Sequence, residues 1–346
     1  MEFILSKILG KLANSRNLLL GLAFAVCCNF ACSTSDSKNY QQEVQNWFTS
    51  NQKVKILATT EMINDLVKNI GGEHVDSIAL IQGQLDPHSY QLVKGDDEKI
   101  SFADLIFYNG LGLEHGPSLQ KALVMHPKAF PLGDLIQQHN PRAILKVNGQ
   151  LDPHIWMDVS LWSEAIPFIV AELSKQDPRH AKEYAANGNQ LQTLMQKTHG
   201  EIKTELQAIP NKQRYLVTSH DAFNYFTRAY LATSEELADN RWQERFAAPE
   251  GLAPESQLST ANIKQIIDHL QQYDIHVLFP ESNVSKDSIK KIVAAGKEKG
   301  LDVAIAQEPL YGDAMGGKES DGATYLGMMK HNARVISNNL RSVHAP

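Results

Sequence analysis

The stretch VKILATTEMINDLVKNIGGEHVDSIALI, at Val54–Ile81, decides the fold because it contains a strand, a helix and a second strand in succession. The short apolar run VKILA at its start is typical of a buried strand. Apolar residues then recur at positions 62, 63, 66, 67 and 70, the spacing of an amphipathic helix, and Gly71-Gly72 ends that helix. Val75–Ile81 predicts the second strand. This order indicates a parallel sheet covered by helices.

The alternation continues on both sides of a long helical segment. Further strands are predicted at 105–108, 130–132, 214–218, 277–280 and 302–306, and further helices at 95–102, 117–124, 160–175, 222–230, 260–273, 285–299 and 325–340. Between Pro178 and Pro210, residues that favour helix dominate. Such a segment would form a rod of about 45 Å.

The sequence therefore predicts an α/β protein of two lobes. Each lobe is a mainly parallel sheet flanked by helices, and one long rigid helix joins the two lobes beside a ligand cleft. The N-terminal lobe is expected at 54–177, the linking helix at 178–210 and the C-terminal lobe at 211–346.

The N-terminus has the features of an export signal. A positively charged start precedes the apolar run Leu18–Cys28, which is too short for a normal membrane-spanning helix. We interpret residues 1–31 as a signal peptide and residues 32–53 as a polar tether. Cys32 follows a small residue and precedes a Ser-rich segment, as in bacterial lipoproteins. We expect an exported chain, either periplasmic or held by a lipid at Cys32 and facing the periplasm; cleavage nearby without lipidation is the alternative.

Charge and cysteine content narrow the possible partners and metals. The formal net charge is −6, so the composition shows no nucleic-acid footprint. All three cysteines lie at or before Cys32. If Cys32 is the first residue of the mature chain, that chain can form no internal disulfide and no cysteine-based zinc site, and any metal must be bound by histidines and carboxylates.

Two near-copies of one phrase point to a ligand site. DPHSY at Asp86–Tyr90 and DPHIW at Asp152–Trp156 both contain Asp-Pro-His followed by an aromatic residue two positions later. Proline restricts its own backbone and that of the preceding residue, so each phrase predicts a rigid turn that presents an imidazole. A single histidine is more often a structural polar residue; the repetition of the whole phrase favours two loops that converge on one ligand.

The ends of the predicted strands supply the rest of the site. His88 and His154 belong to the first lobe, while His220 follows the strand RYLVT and Asp313 follows the strand DVAIA in the second. Three imidazoles and one carboxylate suit one Zn²⁺, Mn²⁺ or Fe²⁺ ion. Four protein ligands fill a tetrahedron and leave no position for a reacting water, which favours capture over catalysis. Glu281, after the strand VLFP, is a candidate partner for the outer nitrogen of a ligand histidine.

Other interpretations of these residues remain open. A metal-dependent hydrolase could use the same four side chains, with Asp313 as its base. A surface adhesin with an incidental metal site is a third possibility. Ser219-His220-Asp221 contains the residue types of a hydrolase triad, but chain neighbours cannot form the relay. Gly110-Leu111-Gly112 lacks the rest of a dinucleotide fingerprint and predicts a tight turn.

Several separate motifs resemble one known family. They are DPHSYQL at 86–92, LIFYNGLGLE at 105–114, DPHIWMD at 152–158, VTSHDAFNYF at 217–226, PEGLAPESQLS at 249–259 and PLYGDAMG at 309–316. In this order they resemble the extracytoplasmic solute-binding lipoproteins of manganese, zinc and iron ABC transporters, and within them the three-His, one-Asp branch with its chlamydial members.

The resemblance implies a function, partners and a ligand set. The chain would capture a divalent transition metal as cargo, without catalysis, and deliver it as a monomer to a permease driven by a cytoplasmic ATPase. The positions that match the family's ligands are His88, His154, His220 and Asp313. Manganese-specific members commonly carry Glu where this chain has His220, and zinc-specific members often carry a His-rich loop that is absent here. The resemblance thus leaves the metal open among Zn, Mn and Fe.

Overall fold

A computed structural model describes residues 39–50, 52–253 and 259–342. The predicted signal peptide and Cys32 lie outside these residues. The described residues before position 51 and those from Gln52 onward belong to two different compact units. No helix among the described residues has the length and apolar character needed to cross a membrane.

The predicted tether contains one helix. Residues 39–49 form helix α1, which was not predicted within the polar tether at 32–53. The signal for this helix is a spacing of apolar residues in the sequence. Tyr40, Val44 and Trp47 lie at positions i, i+4 and i+7, which is the apolar period of a helix.

The first lobe is built on a four-stranded parallel sheet. Its strands are β1 (Val54–Ala58), β2 (Val75–Ala79), β3 (Leu105–Tyr108) and β4 (Ala129–Pro131), in the order β2-β1-β3-β4. The helices of this part are α2 (Glu61–Gly71), α3 (Asp96–Phe102), α4 (Pro117–Val124) and α5 (Leu132–His139). A small antiparallel hairpin of β5 (Lys146–Val147) and β6 (Gln150–Leu151) then leads into the second Asp-Pro-His phrase.

The helix predicted over Ser160–Lys175 is divided. The structure has α6 (Val159–Trp162), a 3₁₀ turn at Ser163–Ala165 and α7 (Ile166–Gln176). Pro167 stands in the first turn of α7. It has no N–H to donate to the carbonyl of residue 163 and its ring crowds that carbonyl, so a continuous helix cannot pass through this point.

Helix α8 (Ala181–Gln207) is the predicted linking helix. Its 27 residues make a rod of about 40 Å. It starts three residues later than predicted because Pro178–His180 form a 3₁₀ turn. One row of α8 is buried at intervals of three or four residues: Tyr184, Gly188, Leu191, Met195, Thr198, Ile202 and Leu206. This row packs against α2 and α7 of the first lobe and against the final helix of the second.

The second lobe repeats the strand order of the first with shorter strands. Its strands are β7 (Leu216–Val217), β8 (Phe246–Ala247), β9 (Val277–Leu278) and β10 (Ala304–Ile305), and its helices are α9 (Asn224–Phe226), α10 (Ser234–Ala238), α11 (Thr260–Gln272), α12 (Asp287–Glu298) and α13 (Tyr325–Ser342). The parallel pairs β7–β8 and β9–β10 are joined by a hydrogen bond from the Phe279 N–H to the Val217 carbonyl. The order is therefore β8-β7-β9-β10, the counterpart of β2-β1-β3-β4.

One large hydrophobic core spans both lobes. It includes Ile56 and Trp156 from the first lobe, Met195 from α8, and Phe226 and Met328 from the second. A smaller core lies among β7, α11 and α12 of the second lobe. The structure thus has the predicted α/β fold of two lobes around a long helix. The four parallel strands of each lobe are supported by a core that the two lobes share.

Candidate metal centre

Each Asp-Pro-His phrase forms a turn that is closed by its own aspartate. The backbone N–H of His88 donates to Asp86 Oδ1 at 2.9 Å, and the N–H of His154 donates to Asp152 Oδ1 at 3.0 Å. An aspartate that accepts from the N–H two residues later is a local turn motif. The repeated aspartate therefore has a physical role: it fixes the backbone that presents the imidazole.

His220 and Asp313 come from the ends of strands in the second lobe. His220 follows β7, and a single parallel bridge between Glu281 and Leu310 extends the β9–β10 pair towards Asp313. Glu281 Oε1 accepts the backbone N–H groups of Ser219 and His220 at 3.0 and 2.9 Å. The turn that presents His220 is thus held by a carboxylate from the neighbouring strand.

The structure brings the four predicted ligand side chains to one point. Nε2 of His88 lies 3.3 Å from Nε2 of His154. The Asp313 carboxylate lies 3.6 Å from the Nε2 of His88, 3.4 Å from that of His154 and 3.1 Å from that of His220. One ligand atom from each residue falls within 4.8 Å of all the others.

The four side chains are buried, and two of them have polar atoms without an ordinary hydrogen-bond partner. All four are at least 97% buried, with exposed fractions between 0% and 3%. Neither oxygen of Asp313 accepts a hydrogen bond of normal geometry from the described residues. A buried polar atom without a partner is costly. Asp313 and His220 both have such atoms, and the Nε2 atoms of His88 and His154 lie beside them, so the group indicates a site for a cation that supplies the missing interactions.

The outer nitrogens of two of the imidazoles face carboxylates. His154 Nδ1 lies 2.7 Å from Asp152 Oδ1, and His220 Nδ1 lies 2.7 Å from Glu281 Oε2. A carboxylate can only accept, so each Nδ1 carries a hydrogen and each Nε2 is left to bind an ion when the ring is neutral. The predicted role of Glu281 as a partner of a ligand histidine agrees with this geometry.

Burial and charge move the pKa values of the four groups in different directions. Burial lowers the pKa of His88. Burial also opposes the charged forms of His154 and His220, but their carboxylate neighbours outweigh it, raising the pKa of His154 to about 9 and that of His220 well above its usual value. Burial would raise the pKa of Asp313, but the three imidazoles hold it well below its usual range. In the absence of an ion, protons therefore occupy the site.

Comparison with known proteins places the chain in a family. The family model described as zinc-uptake complex component A, periplasmic (ZnuA), matches residues 56–339. The chain belongs to this family.

Relatives and a solved structure agree with the match. The chain is 39% identical to the metal-binding protein YtgA of Chlamydia pneumoniae over 92% of this chain and 93% of that protein. It is 32% identical to the manganese-binding lipoprotein MntA of Bacillus subtilis over 94% and 99%. The crystal structure of Fe(III)-bound YtgA from Chlamydia trachomatis is similar with a TM-score of 0.78 at 38% identity, covering 82% of this chain and 97% of that one. The predicted family and fold class are confirmed.

In this ZnuA-family chain, the second lobe anchors the turn that carries His154. Asn224 Nδ2 donates to Asp152 Oδ2 at 3.0 Å, and the Tyr225 hydroxyl donates to the Asp152 carbonyl at 3.0 Å. The Trp156 indole N–H donates to the Gly312 carbonyl at 3.1 Å, and the Tyr325 hydroxyl donates to the Trp156 carbonyl at 2.6 Å. Trp156 therefore ties the His154 turn to the loop of Asp313.

A cavity of about 690 Å³ opens beside the site. His88 is the one predicted ligand among its lining residues, which also include Tyr108, Glu114, His115 and Asp134. The ring of His115 is half-buried, with its centroid 5.5 Å from that of His88. His115 was expected to be solvated, and its place beside His88 was not predicted. Its position after the turn LGLE was the available signal.

Glu114 is a buried carboxylate that the sequence analysis also missed. It accepts the Thr59 hydroxyl at 2.7 Å and the N–H groups of Asn109 and Gly110 at 2.8 and 3.1 Å. Burial raises its pKa. The predicted tight turn at Gly110-Leu111-Gly112 is present, with φ of 73°, 53° and 84°, and Glu114 holds its start. Glu114 thus holds a turn of the first lobe by accepting backbone N–H groups, as Glu281 does in the second.

Proposed function

We propose that this chain captures one divalent transition metal ion through His88, His154, His220 and Asp313 and delivers it to an ABC-transporter permease. The observation that carries the proposal is the convergence of three imidazole Nε2 atoms on one buried carboxylate whose oxygens have no ordinary hydrogen-bond partner. Each lobe contributes two of the four groups, so the ion would be bound between them.

The spacing of the ligand atoms suits a small divalent ion. A tetrahedral ion with bonds of about 2.0–2.1 Å separates its ligand atoms by about 3.3–3.4 Å. The four separations between His88, His154, His220 and Asp313 atoms given above run from 3.1 to 3.6 Å. These four separations, which involve both oxygens of Asp313, match those around such an ion to within a few tenths of an ångström, and all four ligand atoms lie within 4.8 Å of one another.

The candidate cargoes are Zn²⁺, Mn²⁺ and Fe²⁺. The family is described by zinc uptake, MntA of Bacillus subtilis by manganese and the YtgA structure by bound iron. Three imidazoles and one carboxylate accept each of these ions. Intrinsic affinity rises from Mn²⁺ to Zn²⁺ at most such sites, so the cargo in the cell also depends on which metal is available.

Transport defines the partners. As a solute-binding component of a metal ABC transporter, the chain works with a membrane permease and its cytoplasmic ATPase. We further propose that the protein is exported, that a lipid on Cys32 tethers it to the membrane facing the periplasm, and that it acts as a monomer. The hydrolase alternative has no support, because the family is one of uptake components rather than enzymes.

Metal stoichiometry tests the proposal. Protein stripped with a chelator is reloaded separately with Zn²⁺, Mn²⁺ and Fe²⁺ and assayed by elemental analysis and chelator competition. We expect one tightly held equivalent in the wild type. In His220→Ala the affinity should fall by more than the roughly 10–100-fold that loss of an outer partner costs, because a ligand itself is removed.

His276→Ala is the matched control. His276 lies before β9, at the end of the strand opposite to Glu281, and its ring contacts Asp274 and the Asp302 carbonyl. This variant should bind like the wild type. Full retention of the ion by His220→Ala would refute the proposed site, and absence of any tightly held metal in the wild type would refute the proposed function.

A further inference from the structure

A second group of metal-binding side chains lies outside the cargo site. His74, His180 and Glu183 each offer one ligand atom, and these atoms lie within 4.8 Å of one another. We propose that the three side chains form a second, solvent-accessible site for Zn²⁺ or a chemically similar transition-metal ion. This inference does not depend on the proposed cargo site, with which it shares no residue.

The contacts within the group are close. His74 Nε2 lies 2.7 Å from Glu183 Oε2. The rings of His74 and His180 are stacked, with their centroids 3.7 Å apart and their planes 9° from parallel. Binding one ion requires both rings to tilt so that their lone pairs converge. Partial exposure of their side chains, 19% for His74 and 30% for His180, permits that movement.

A carboxylate orients His180 as in established zinc sites. His180 Nδ1 lies 2.5 Å from Asp177 Oδ2, and the Tyr184 hydroxyl donates to the same oxygen at 3.1 Å. The contact with His180 holds the pKa of Asp177 below its usual value. Because Nδ1 donates to a carboxylate, Nε2 of the neutral ring is free to bind an ion. A carboxylate–histidine–metal arrangement of this kind fixes the ring and increases its basicity.

Packing of the fold assembles the group before any ion arrives. His74 lies in the 3₁₀ turn Gly72–His74 that follows α2, and Glu183 lies in the first turn of α8. Asn187 Nδ2 of α8 donates to the carbonyl of Ile70, the second residue before the turn, at 3.0 Å. An ion bound here would cross-link the end of α2 to the start of the linking helix.

The ligand set determines the class of ion and the strength of binding. Two imidazoles and one carboxylate are found in zinc sites that keep an open position, and in non-haem iron sites. Water would complete the coordination here, because the Glu183 side chain is 59% exposed. Arg179, 3.7 Å from Asp177 and 85% exposed, places a mobile positive charge nearby. Fewer protein ligands and this charge make the second site weaker than a buried four-ligand site.

Binding stoichiometry at rising Zn²⁺ concentration tests the inference. Full-length protein is dialysed against buffered Zn²⁺ at pH 7.5, and bound metal is counted by elemental analysis. We expect a second, weaker equivalent in the wild type that disappears in His180→Ala while the first is kept. Glu183→Gln, a change at an exposed position that leaves the fold intact, should weaken the second equivalent alone. Asp177→Asn should weaken it by about 10–100-fold.

His276→Ala is again the control, since it removes a partly exposed histidine with carboxylate contacts elsewhere. It should keep both equivalents. A wild type that binds no second equivalent, or a second equivalent that persists in both His180→Ala and Glu183→Gln, would overturn the inference. A wild type that binds no first, tight equivalent would count against the cargo site instead. The two failures are therefore distinguishable.

Discussion

Glu281→Gln should weaken metal binding although Glu281 is not among the four proposed ligands. One of its oxygens accepts two backbone N–H groups, from Ser219 and His220, and the other lies 2.7 Å from His220 Nδ1. Glutamine has nearly the same shape but only one oxygen. Its NH₂ group donates where the second carboxylate oxygen accepted.

Both orientations of the amide are unfavourable. If its oxygen stays with the backbone, the NH₂ faces Nδ1, and the neutral His220 ring then carries its hydrogen on Nε2, where the ion must bind. If the amide is reversed, the NH₂ opposes two buried backbone N–H groups that have lost their acceptor. Loss of such outer partners typically costs 10–100-fold in metal affinity, or about 1.4–2.8 kcal/mol.

The carboxylate of Glu281 also has an opposing effect that depends on pH. Together with Asp313 it overcomes burial and raises the pKa of His220, so a proton competes with the ion in the wild type. In Glu281→Gln this competition is weaker. The loss of affinity should therefore be greatest at high pH, where the wild-type ring has lost its proton, and should shrink as the pH falls.

Chelator competition for Zn²⁺ at pH 6.5, 7.5 and 8.5 measures both effects. Asp76→Asn is the control, because it also removes one carboxylate but does so away from the proposed metal site. Asp76 lies at the start of β2 and pairs with Lys55 at 2.8 Å. A Glu281→Gln affinity within twofold of the wild type at pH 8.5 would refute the reasoning about the tautomer.

Three further predictions concern the metal-free protein, the route to the site and the linking helix. The folded pKa of His154 is about 9, above its ordinary value of 6.5, so its contribution to stability is full below pH 6.5 and is lost as the pH rises through 9; the melting temperature should fall over this range in chelator and rise with Zn²⁺ present. Because His115 lines the cavity beside the site, His115→Ala should slow metal association and dissociation by the same factor in stopped-flow measurements and leave Kd unchanged. His139→Ala, at an exposed position, should alter neither the rates nor Kd. A raised Kd in His115→Ala would instead make His115 a ligand. In chemical denaturation, Gly188→Ala should lower the free energy of unfolding by about 1–2 kcal/mol, because its Cβ would meet Val170 at 2.7 Å. Gly200→Ala on the same helix has open space around it and should raise that free energy by about 1 kcal/mol. Equal shifts in the two variants would contradict the packing.

Local pattern was sufficient to predict much of the first lobe. Val54–Ala58, Leu105–Tyr108 and Pro117–Val124 are observed with the predicted bounds, because a buried strand and a helix with proline in its first turn are defined by their own residues. The strands of the second lobe are shorter than predicted. Their ladders have only two residues each, and such limits depend on partners distant in sequence rather than on apolar character.

The sequence was sufficient to predict the residues of the candidate site but not the hydrogen bonds that hold them in place. The repeated Asp-Pro-His phrase and the strand ends indicated the four ligand positions. Asn224 and Tyr225, which hold Asp152, lie about seventy residues away in sequence, and no local signal pairs them with it. The β5–β6 hairpin was missed for a related reason, since two-residue strands have too few residues to show an alternation.

Helix α8 has a consequence for how the protein unfolds. Its buried row is covered by α2 and α7 on one side and by α13 on the other, within a single hydrophobic core. Melting either lobe alone would expose that row to water while the other lobe still held the helix in place. The two lobes are therefore coupled into one cooperative transition. A single calorimetric peak, in place of one for each lobe, is the thermal signature of a helix that both halves need.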